Sequence, residues 1–329
     1  MKGKILVTAR SFRKTPGPHQ QILQDAGYTI VNSPYDRPLK AAELAGLLAD
    51  VDGAILGLDE VTAEALEQAG RLRVISRYGV GLDSVDVAAA TARGIVVTIT
   101  PGANSVAVAE LTMALMLALA RHIPQLDRQV KAGEWGRIRG VELAGLALGL
   151  IGLGRIGREV AKRAAAFNMR ILFYDPFPPP EEVQAQLGTA PAALDNLLAE
   201  SDVVSLHLPL TDDTRHLIDR GALAKMKPGA ILINTARGGL VEEPALAEAL
   251  QSGQLAGAAC DVFAQEPPAR DNPLLKLDGF IATPHVGSAT RQTTLRMGLM
   301  ASENALAVLR GERPAHVVNP EVYEQPDRA

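Results

Sequence analysis

The stretch that decides the fold reads ALGLIGLGRIG and occupies residues 147–157. Its first five residues are apolar or glycine, which predicts a buried β-strand. Gly152, Gly154 and Gly157 follow at the G-x-G-x-x-G spacing, and a helix-favouring run covers residues 158–167. A strand, a glycine turn and a helix in this order are the context that a dinucleotide-binding motif requires. The stretch therefore predicts the first strand–turn–helix unit of a Rossmann domain.

Each glycine of this turn has a predicted task. Gly152 permits the tight turn, Gly154 lets the backbone approach a pyrophosphate, and Gly157 allows close packing of helix on strand. The free N–H groups at the helix N-terminus favour the negative phosphates. The next predicted strand, residues 170–174, ends at Asp175. A carboxylate there accepts hydrogen bonds from a ribose diol and repels a 2′-phosphate, so we predict NAD as the cofactor.

Apolar runs alternate with helical patterns on both sides of this stretch, which predicts an α/β protein with parallel sheets. At 329 residues the chain also exceeds what one compact core usually holds. We expect two doubly wound parallel-sheet domains, with a Rossmann NAD-binding domain (residues 102–286) inserted in a flavodoxin-like substrate domain (residues 1–101 and 287–329). The predicted strands are 5–8, 28–31, 54–56, 74–76, 95–98, 147–151, 170–174, 203–207, 230–234, 257–261 and 280–283.

Composition narrows the class of protein. The net charge is −4, whereas a duplex-binding protein normally carries a basic surplus, so nucleic acid is not expected as a partner. A single cysteine allows no intrachain disulfide and fits a reducing compartment. The longest apolar stretch, residues 111–120, is shorter than the roughly 20 residues that cross a bilayer. We expect a cytoplasmic protein with no membrane association.

A long helical pattern runs from about Ser105 to Lys131, and its first half is apolar on all sides. A helix of that composition should be buried all round. One domain face does not offer enough cover, so we predict a homodimer formed through this helix.

Three charged or titratable side chains follow predicted strand ends in the second half of the chain. Arg237 comes after the strand at 230–234, Glu266 after the strand at 257–261, and His285 after the strand at 280–283. The carboxyl ends of parallel strands meet at one edge of an open sheet, where ligands bind. These three side chains are therefore candidates for a shared site.

At these residues the sequence resembles a known family. The runs NTARGG (234–239), DVF with EP (261–267) and PH with GS (284–288) resemble the signatures of the D-isomer-specific 2-hydroxyacid dehydrogenases. The resemblance implies that His285 is the general acid/base, that Glu266 orients its ring, and that Arg237 binds the substrate carboxylate or C2 oxygen. An imidazole suits proton exchange near neutral pH, and a guanidinium fork suits a carboxylate.

The same resemblance implies further contacts. For the cofactor they are the glycine turn with Arg155 and Ile156, then Asp175, His207, Pro209, Thr214, Thr235, Ala236, Asp261 and Gly287. For the substrate they are the loop residues Arg77, Tyr78, Gly79, Val80 and Gly81, with Asn104. No metal ion is expected.

Within the family the sequence favours 3-phosphoglycerate as the substrate. Arg77, together with Arg137 or Arg139, could bind a phosphate, although the last two also fit solvated surface charges. The chain stops at Ala329, so we expect a form without a regulatory domain. Hydroxypyruvate or glyoxylate reduction is the alternative. A different class, an NAD-binding corepressor that recruits partners, shares the three site residues and stays open.

Overall fold

The structure, a computed structural model, describes residues 2–324 of the chain. Twelve strands lie within these residues: β1 (Gly3–Val7), β2 (Tyr28–Asn32), β3 (Gly53–Leu56), β4 (Val74–Arg77), β5 (Val96–Thr98), β6 (Ala147–Ile151), β7 (Arg170–Tyr174), β8 (Thr189–Pro191), β9 (Val203–Leu206), β10 (Ala230–Asn234), β11 (Leu255–Cys260) and β12 (Phe280–Ala282). The α-helices are α1 (Arg10–Lys14), α2 (Pro18–Asp25), α3 (Ala41–Leu48), α4 (Ala63–Leu66), α5 (Val87–Ala92), α6 (Ser105–Ala120), α7 (Ile123–Lys131), α8 (Arg155–Ala166), α9 (Glu181–Leu187), α10 (Leu194–Glu200), α11 (Arg220–Lys225), α12 (Glu243–Gln251) and α13 (Arg291–Leu309).

The chain divides into two compact units. One comprises Met1–Asn104 with Ala289–Ala329, and the other comprises Ser105–Ser288. The sequence placed the boundaries at 101/102 and 286/287. We call the first the flavodoxin-like unit and the second the Rossmann unit, because of their strand orders.

The flavodoxin-like unit contains a five-stranded parallel sheet of order β2-β1-β3-β4-β5. This is the 2-1-3-4-5 order of doubly wound flavodoxin-like folds. Buried apolar side chains cover both faces of the sheet. Helix α13 begins where Thr290 Oγ1 accepts a hydrogen bond from Thr293 N at 3.1 Å, and it returns the chain to this sheet.

The Rossmann unit contains a seven-stranded parallel sheet of order β12-β11-β10-β9-β6-β7-β8. Counted from β6, this is the 3-2-1-4-5-6 order of a dinucleotide-binding fold with one strand added. The order reverses between β6 and β9, so the switch point where ligands bind lies beside the glycine turn after β6. The predicted fold class is confirmed.

Two elements differ from the sequence prediction. Strand β8, residues 189–191, was not predicted; it has three residues, ends in Pro191 and lies at the sheet edge, where a proline is tolerated. The long helix predicted over 105–131 is broken into α6 and α7, which are bent by 61°. His122 adopts a left-handed conformation (φ 53°) between them, and Pro124 follows in the first turn of α7.

Helix α6 is not buried all round within its unit, and the prediction that one domain does not cover the whole helix agrees with this. Ten of its sixteen residues are buried, but Val106, Glu110 and Ala114 lie on an exposed face. Helix α7 has no buried residue at all. No single helix among residues 2–324 is long and apolar enough to span a membrane; the bent α6–α7 pair meets that test only when its two helices are counted together.

Candidate functional site

The glycine turn after β6 has the geometry that the motif predicts. Gly152 has φ 103°, and a Cβ there would lie 2.7 Å from the carbonyl carbon of His207. A Cβ on Gly157 would lie 2.2 Å from the oxygen of Gly152, so the helix packs directly on the turn. A Cβ on Gly154 would meet no described atom within 4 Å. The turn therefore packs against protein atoms at Gly152 and Gly157, whereas Gly154 faces open space.

The open side of the turn is the N-terminus of α8, a twelve-residue helix that begins with Arg155 and Ile156. Gly154 is its N-cap and supplies no side-chain cap, so the first N–H groups of the helix are left for an external acceptor. Backbone N–H groups at the end of a helix dipole form an anion site. The turn fits a dinucleotide pyrophosphate.

Asp175 follows β7 beside the turn. Its Oδ2 accepts a hydrogen bond from Leu153 N at 2.7 Å, and its Oδ1 accepts one from Phe177 N at 2.8 Å. The carboxylate thus orders the glycine turn as well as its own loop. A carboxylate has about four acceptor positions, so two remain for a ribose diol.

The segment after β9 carries three of the candidate residues. His207 Nε2 lies 2.9 Å from Ser205 Oγ, while its Nδ1 is buried and has no hydrogen-bond partner among the described residues. Burial lowers the pKa of His207 to about 3, so its ring is neutral at ordinary pH. Thr214 Oγ1 donates to the Pro209 carbonyl at 2.8 Å and accepts from Thr211 N at 2.8 Å. The Thr214 hydroxyl therefore shapes its own loop.

The segment after β10 places Thr235, Ala236 and Arg237. Asn234, only 1% exposed, accepts from Ala236 N at 3.1 Å and donates to the Arg237 carbonyl at 2.8 Å. The guanidinium of Arg237 donates from Nη1 to the Ala236 carbonyl at 2.7 Å. Asn234 is the residue that bends this segment, and the sequence analysis gave it no role of its own. Its signal was its position at the carboxyl end of a buried strand.

Glu266 and His285 are brought together although 19 residues separate them. His285 Nδ1 lies 2.7 Å from Glu266 Oε2, and the two side chains are 30% and 32% exposed. Burial raises the pKa of Glu266, but the hydrogen bond and charge of His285, the N–H of Phe263 and the charge of Arg237 outweigh it. The pKa of Glu266 therefore lies below its usual value. An ionised carboxylate only accepts, so the imidazole proton is on Nδ1.

Asp261 builds the loop that carries His285. Its carboxylate is 2% exposed and accepts from Thr283 Oγ1 at 2.5 Å and from the N–H groups of Val286 and Gly287 at 2.8 Å each. His285 itself adopts φ 53°, an uncommon conformation outside glycine, and its N–H donates to the Asp261 carbonyl at 2.8 Å. Such a conformation persists where its surroundings overdetermine it, and Asp261 supplies that constraint.

A close backbone approach sets the Arg237 segment against the Glu266 loop. Gly238 follows Arg237, and a Cβ there would lie 1.9 Å from the carbonyl carbon of Phe263. Phe263 N in turn donates to Glu266 Oε1 at 3.1 Å. Because no side chain fits between the two segments, the guanidinium and the carboxylate are held in one neighbourhood. The Rossmann unit therefore assembles all three of Arg237, Glu266 and His285.

The predicted substrate loop lies in the flavodoxin-like unit at the end of β4. Arg77 is 4% exposed, and its guanidinium donates to the carbonyls of Gly81 (3.0 Å), Leu56 (3.3 Å) and Tyr78 (3.1 Å). The Tyr78 hydroxyl accepts from Ser11 Oγ at 3.1 Å and donates to the Thr294 carbonyl at 3.2 Å.

Both side chains thus hold the loop from inside, and Gly79, Val80 and Gly81 are half-buried. Asn104, the last residue of this unit before α6, has a buried Oδ1 with no hydrogen-bond partner among the described residues.

A hydroxyl pair that the sequence analysis missed links α6 to the β10 segment. Thr112 Oγ1 lies 2.9 Å from Thr235 Oγ1 and 2.9 Å from the Val108 carbonyl. A threonine within an apolar helical run carries no distinctive signal, because its role depends on which strand end packs beside it.

Comparison with known proteins agrees with this geometry. A profile of the family described as "D-isomer specific 2-hydroxyacid dehydrogenase, NAD binding domain" matches residues 113–287. The D-3-phosphoglycerate dehydrogenase of Methanocaldococcus jannaschii is 48% identical over 91% of this chain and 57% of its own length. The glyoxylate reductase of Thermofilum pendens is 42% identical over 98% of this chain and 96% of its own length.

Among solved structures, the D-lactate dehydrogenase from Aquifex aeolicus, in complex with NAD and lactic acid, superposes with a TM-score of 0.83. It is 32% identical, and the match covers 95% of this chain and 98% of that one. The chain spans about half the length of the first phosphoglycerate dehydrogenases that it matches. Residues 113–287 form an NAD-binding domain. The chain belongs to the family of D-isomer specific 2-hydroxyacid dehydrogenases.

Proposed function

We propose that the protein transfers a hydride between NAD and the C2 carbon of a small D-2-hydroxy acid. The observation that carries the proposal is the 2.7 Å contact between His285 Nδ1 and Glu266 Oε2. It supplies a titratable ring whose orientation and tautomer are set, in the same unit as the glycine turn that fits a dinucleotide. NAD, when bound, supplies or accepts the hydride.

His285 performs the proton transfer in this proposal. Because Nδ1 carries the proton that is shared with Glu266, Nε2 of the neutral ring is a free acceptor. It takes the proton of the C2 hydroxyl during oxidation and returns it to the C2 oxygen during reduction. The pKa of Glu266 lies below its usual value, so its side chain is an ionised carboxylate, and this charge stabilises the positively charged ring that results. Arg237 binds the substrate carboxylate through its fork of donors.

The candidate cofactor residues act by holding NAD in place. Gly152, Gly154, Arg155, Ile156 and Gly157 form the pyrophosphate turn, and Asp175 accepts from the ribose diol. The other members of the set are His207, Pro209, Thr214, Thr235, Ala236, Asp261 and Gly287. Of these, Thr214 and Asp261 act through the loops they order, since their oxygens already bond protein groups.

We further propose that the substrate is a small 2-oxo acid without a phosphate, such as hydroxypyruvate or glyoxylate. The sequence favoured 3-phosphoglycerate on the basis of Arg77, but that guanidinium is buried and donates to three backbone carbonyls. It shapes the loop of residues 77–81, where the N–H groups of Tyr78 and Gly79 donate to the carbonyls of Leu56 and Arg77, so the N–H groups of Val80 and Gly81 are the ones we assign to a substrate carboxylate. 3-Phosphoglycerate is the alternative. The similarity to glyoxylate and hydroxypyruvate reductases supports the first candidate, and the similarity to a D-3-phosphoglycerate dehydrogenase supports the alternative.

An NADH-oxidation screen tests the function and the substrate together. We expect turnover with hydroxypyruvate or glyoxylate, and a lower kcat/KM with phosphohydroxypyruvate. His285→Gln should lower kcat by at least about a hundredfold, the low end for general acid–base catalysis, without weakening NADH binding. Turnover of His285→Gln near the wild-type rate would refute the assignment of His285. A clear preference for the phosphorylated acid would restore Arg77 as a phosphate ligand.

We also propose that the protein is a homodimer through the region of α7. Helix α7 has no buried residue, and four large apolar side chains in and after it are half or more exposed: Ile123 (54%), Val130 (50%), Trp135 (82%) and Val141 (51%). Light scattering should give about twice the chain mass of 34.8 kDa. Val130→Glu should shift the population to monomers by burying a charge in the interface. A wild-type monomer would contradict the proposal.

A further inference from the structure

Glu266 lies in a long connection that has little regular structure of its own. Residues 261–279 join β11 to β12, and the single regular element there is a one-turn 3₁₀ helix at Pro273–Lys276. Sites on such loops are less sharply positioned than sites on strands or helices. Something outside the loop must therefore hold the Glu266 carboxylate within reach of His285.

The first residue of α12, Glu243, provides such a hold. Its Oε1 accepts a hydrogen bond from Ala264 N at 2.7 Å, and its Oε2 accepts one from Asn272 Nδ2 at 2.8 Å. Ala264 lies two residues before Glu266, whereas Asn272 lies near the far end of the loop. Asn272 Oδ1 accepts from Leu274 N at 3.0 Å and so starts the 3₁₀ helix. One carboxylate thus ties both ends of the segment 264–272.

The second side of the same segment is held by packing. The backbone of Phe263 and Ala264 lies directly against Gly238, with no room for a Cβ. The loop is therefore fixed between the Arg237 segment and α12. Both oxygens of Glu243 bond the loop, one at Ala264 and the other at Asn272.

We propose that Glu243 is a positioning residue for the reaction: its carboxylate holds residues 264–272 so that Glu266 stays within hydrogen-bond distance of His285. The inference rests on the proposed function. Carboxylate acceptors give stronger hydrogen bonds to N–H donors than neutral oxygens do. The negative charge of Glu243 is also favourable in the first turn of α12, because the helix dipole is positive there.

The test compares Glu243→Gln with a matched control on the same helix. Glutamine keeps the shape and one acceptor oxygen, but its NH2 group faces a donor, so one of the two bonds is lost. Glu248→Gln is the control, because Glu248 is an exposed carboxylate that pairs with Arg220 far along α12. Both variants are also made in a Glu266→Gln background.

We expect Glu243→Gln to lower kcat for NADH-linked reduction by about tenfold to a hundredfold, as small misplacements of a catalytic group do. The KM for NADH should be unchanged. The alkaline limb of the kcat profile should move to lower pH, because the carboxylate that stabilises the protonated ring is less well held. In the Glu266→Gln background the Glu243→Gln change should lower kcat by less than about twofold, because the carboxylate through which Glu243 acts on His285 is already absent.

The groups that face Glu266 and Glu243 do not account for a shift of the alkaline limb of the kcat profile. Glu266 faces His285 and Arg237, and arginine does not titrate in this range. Glu243 faces the Cys260 thiol, whose pKa is raised far above its usual value by burial and then by the charges of Glu243 and Asp261. A shifted limb in Glu243→Gln therefore reports on the Glu266–His285 pair.

Several results would overturn the inference. One is a kcat of Glu243→Gln within about twofold of wild type; another is an equal loss in both backgrounds, which would mean independent action. Amide hydrogen exchange supplies a readout that does not need turnover: Glu243→Gln should expose the amide of Ala264 to faster exchange than Glu248→Gln does. If the wild type reduces no 2-oxo acid, the proposed function fails, whereas the exchange result still decides whether Glu243 holds the loop.

Discussion

The hydroxyl of Thr112, in the middle of α6, lies 2.9 Å from the hydroxyl of Thr235 at the end of β10. Both residues are buried, at 0% and 7% exposure. Thr112 also lies 2.9 Å from the Val108 carbonyl, which only accepts, so Thr112 donates there and Thr235 donates to Thr112. A helix that packs against β10, β11 and α8 of the Rossmann unit thereby sets the rotamer of a candidate cofactor residue.

Replacing Thr112 by valine should leave the Thr235 hydroxyl as an unpaired buried donor. Such a group costs about 1–3 kcal/mol in the free energy of unfolding. We also expect a higher KM for NADH, because the Thr235 rotamer is no longer set. Chemical denaturation and steady-state kinetics measure the two effects. Thr112→Ser, which keeps the hydroxyl, should restore both; a valine variant with wild-type stability and KM would show that the pair has no role.

The two glycines Gly154 and Gly157 should respond differently to alanine. A Cβ on Gly154 meets no described atom within 4 Å, so Gly154→Ala should change the free energy of unfolding by about 0.5 kcal/mol or less. The methyl group would instead stand where the pyrophosphate must approach. We expect a rise of about tenfold or more in the Kd for NADH, equivalent to 1.4 kcal/mol.

Gly157→Ala is the matched comparison. Its Cβ would lie 2.2 Å from the oxygen of Gly152, so helix α8 must shift, at a cost of about 1–3 kcal/mol in stability. Thermal unfolding and fluorescence titration with NADH separate the two variants. Equal loss of stability in both, or unaltered NADH binding by Gly154→Ala, would contradict the assignment of the turn.

The single cysteine should be inert in the folded protein. Cys260 is 4% exposed in β11, and burial, followed by the charges of Glu243 and Asp261, raises the pKa of its thiol. Because the thiolate is the reacting species, a disulfide reagent such as DTNB should not label native protein. One thiol per chain should react after denaturation in guanidinium chloride. Stoichiometric labelling under native conditions would show that β11 opens or that the thiol is accessible.

His207 should make the protein less stable in acid. Its pKa of about 3 in the folded state lies below the ordinary 6.5, so the unfolded chain binds the extra proton first. Stability should therefore fall as the pH is lowered from 6.5 toward 3, by up to about 1.4 kcal/mol per pH unit from this group.

His207→Gln should flatten that dependence when urea unfolding is followed in the absence of cofactor. The control is His216→Asn, since His216 is exposed and its left-handed backbone conformation (φ 52°) suits asparagine. An unchanged slope in His207→Gln, or an equal change in His216→Asn, would show that His207 is not the group responsible.

Local patterns predicted most of the secondary structure, and the exceptions have local causes. Strands at 147–151, 170–174 and 230–234 occur with the predicted bounds, because a buried parallel strand is a continuous apolar run. The edge strand β8 has three residues and a proline, too little for a pattern to detect. The break at His122 occurs inside a helical pattern, since a left-handed residue is not announced by hydrophobic periodicity.

The amino-acid sequence was sufficient for the alternation of strands and helices, the glycine turn, Asp175 and the family resemblance, because each depends on residues close together in the chain or on a distinctive order of motifs. It was not sufficient for the contacts that make the site. The family resemblance had paired Glu266 with His285, but their 2.7 Å contact, the hold of Asp261 on the His285 loop and the burial of the Arg77 guanidinium all depend on residues that meet through space. Such contacts depend on how separate strand ends pack against one another, and spacing along the chain does not encode that distance.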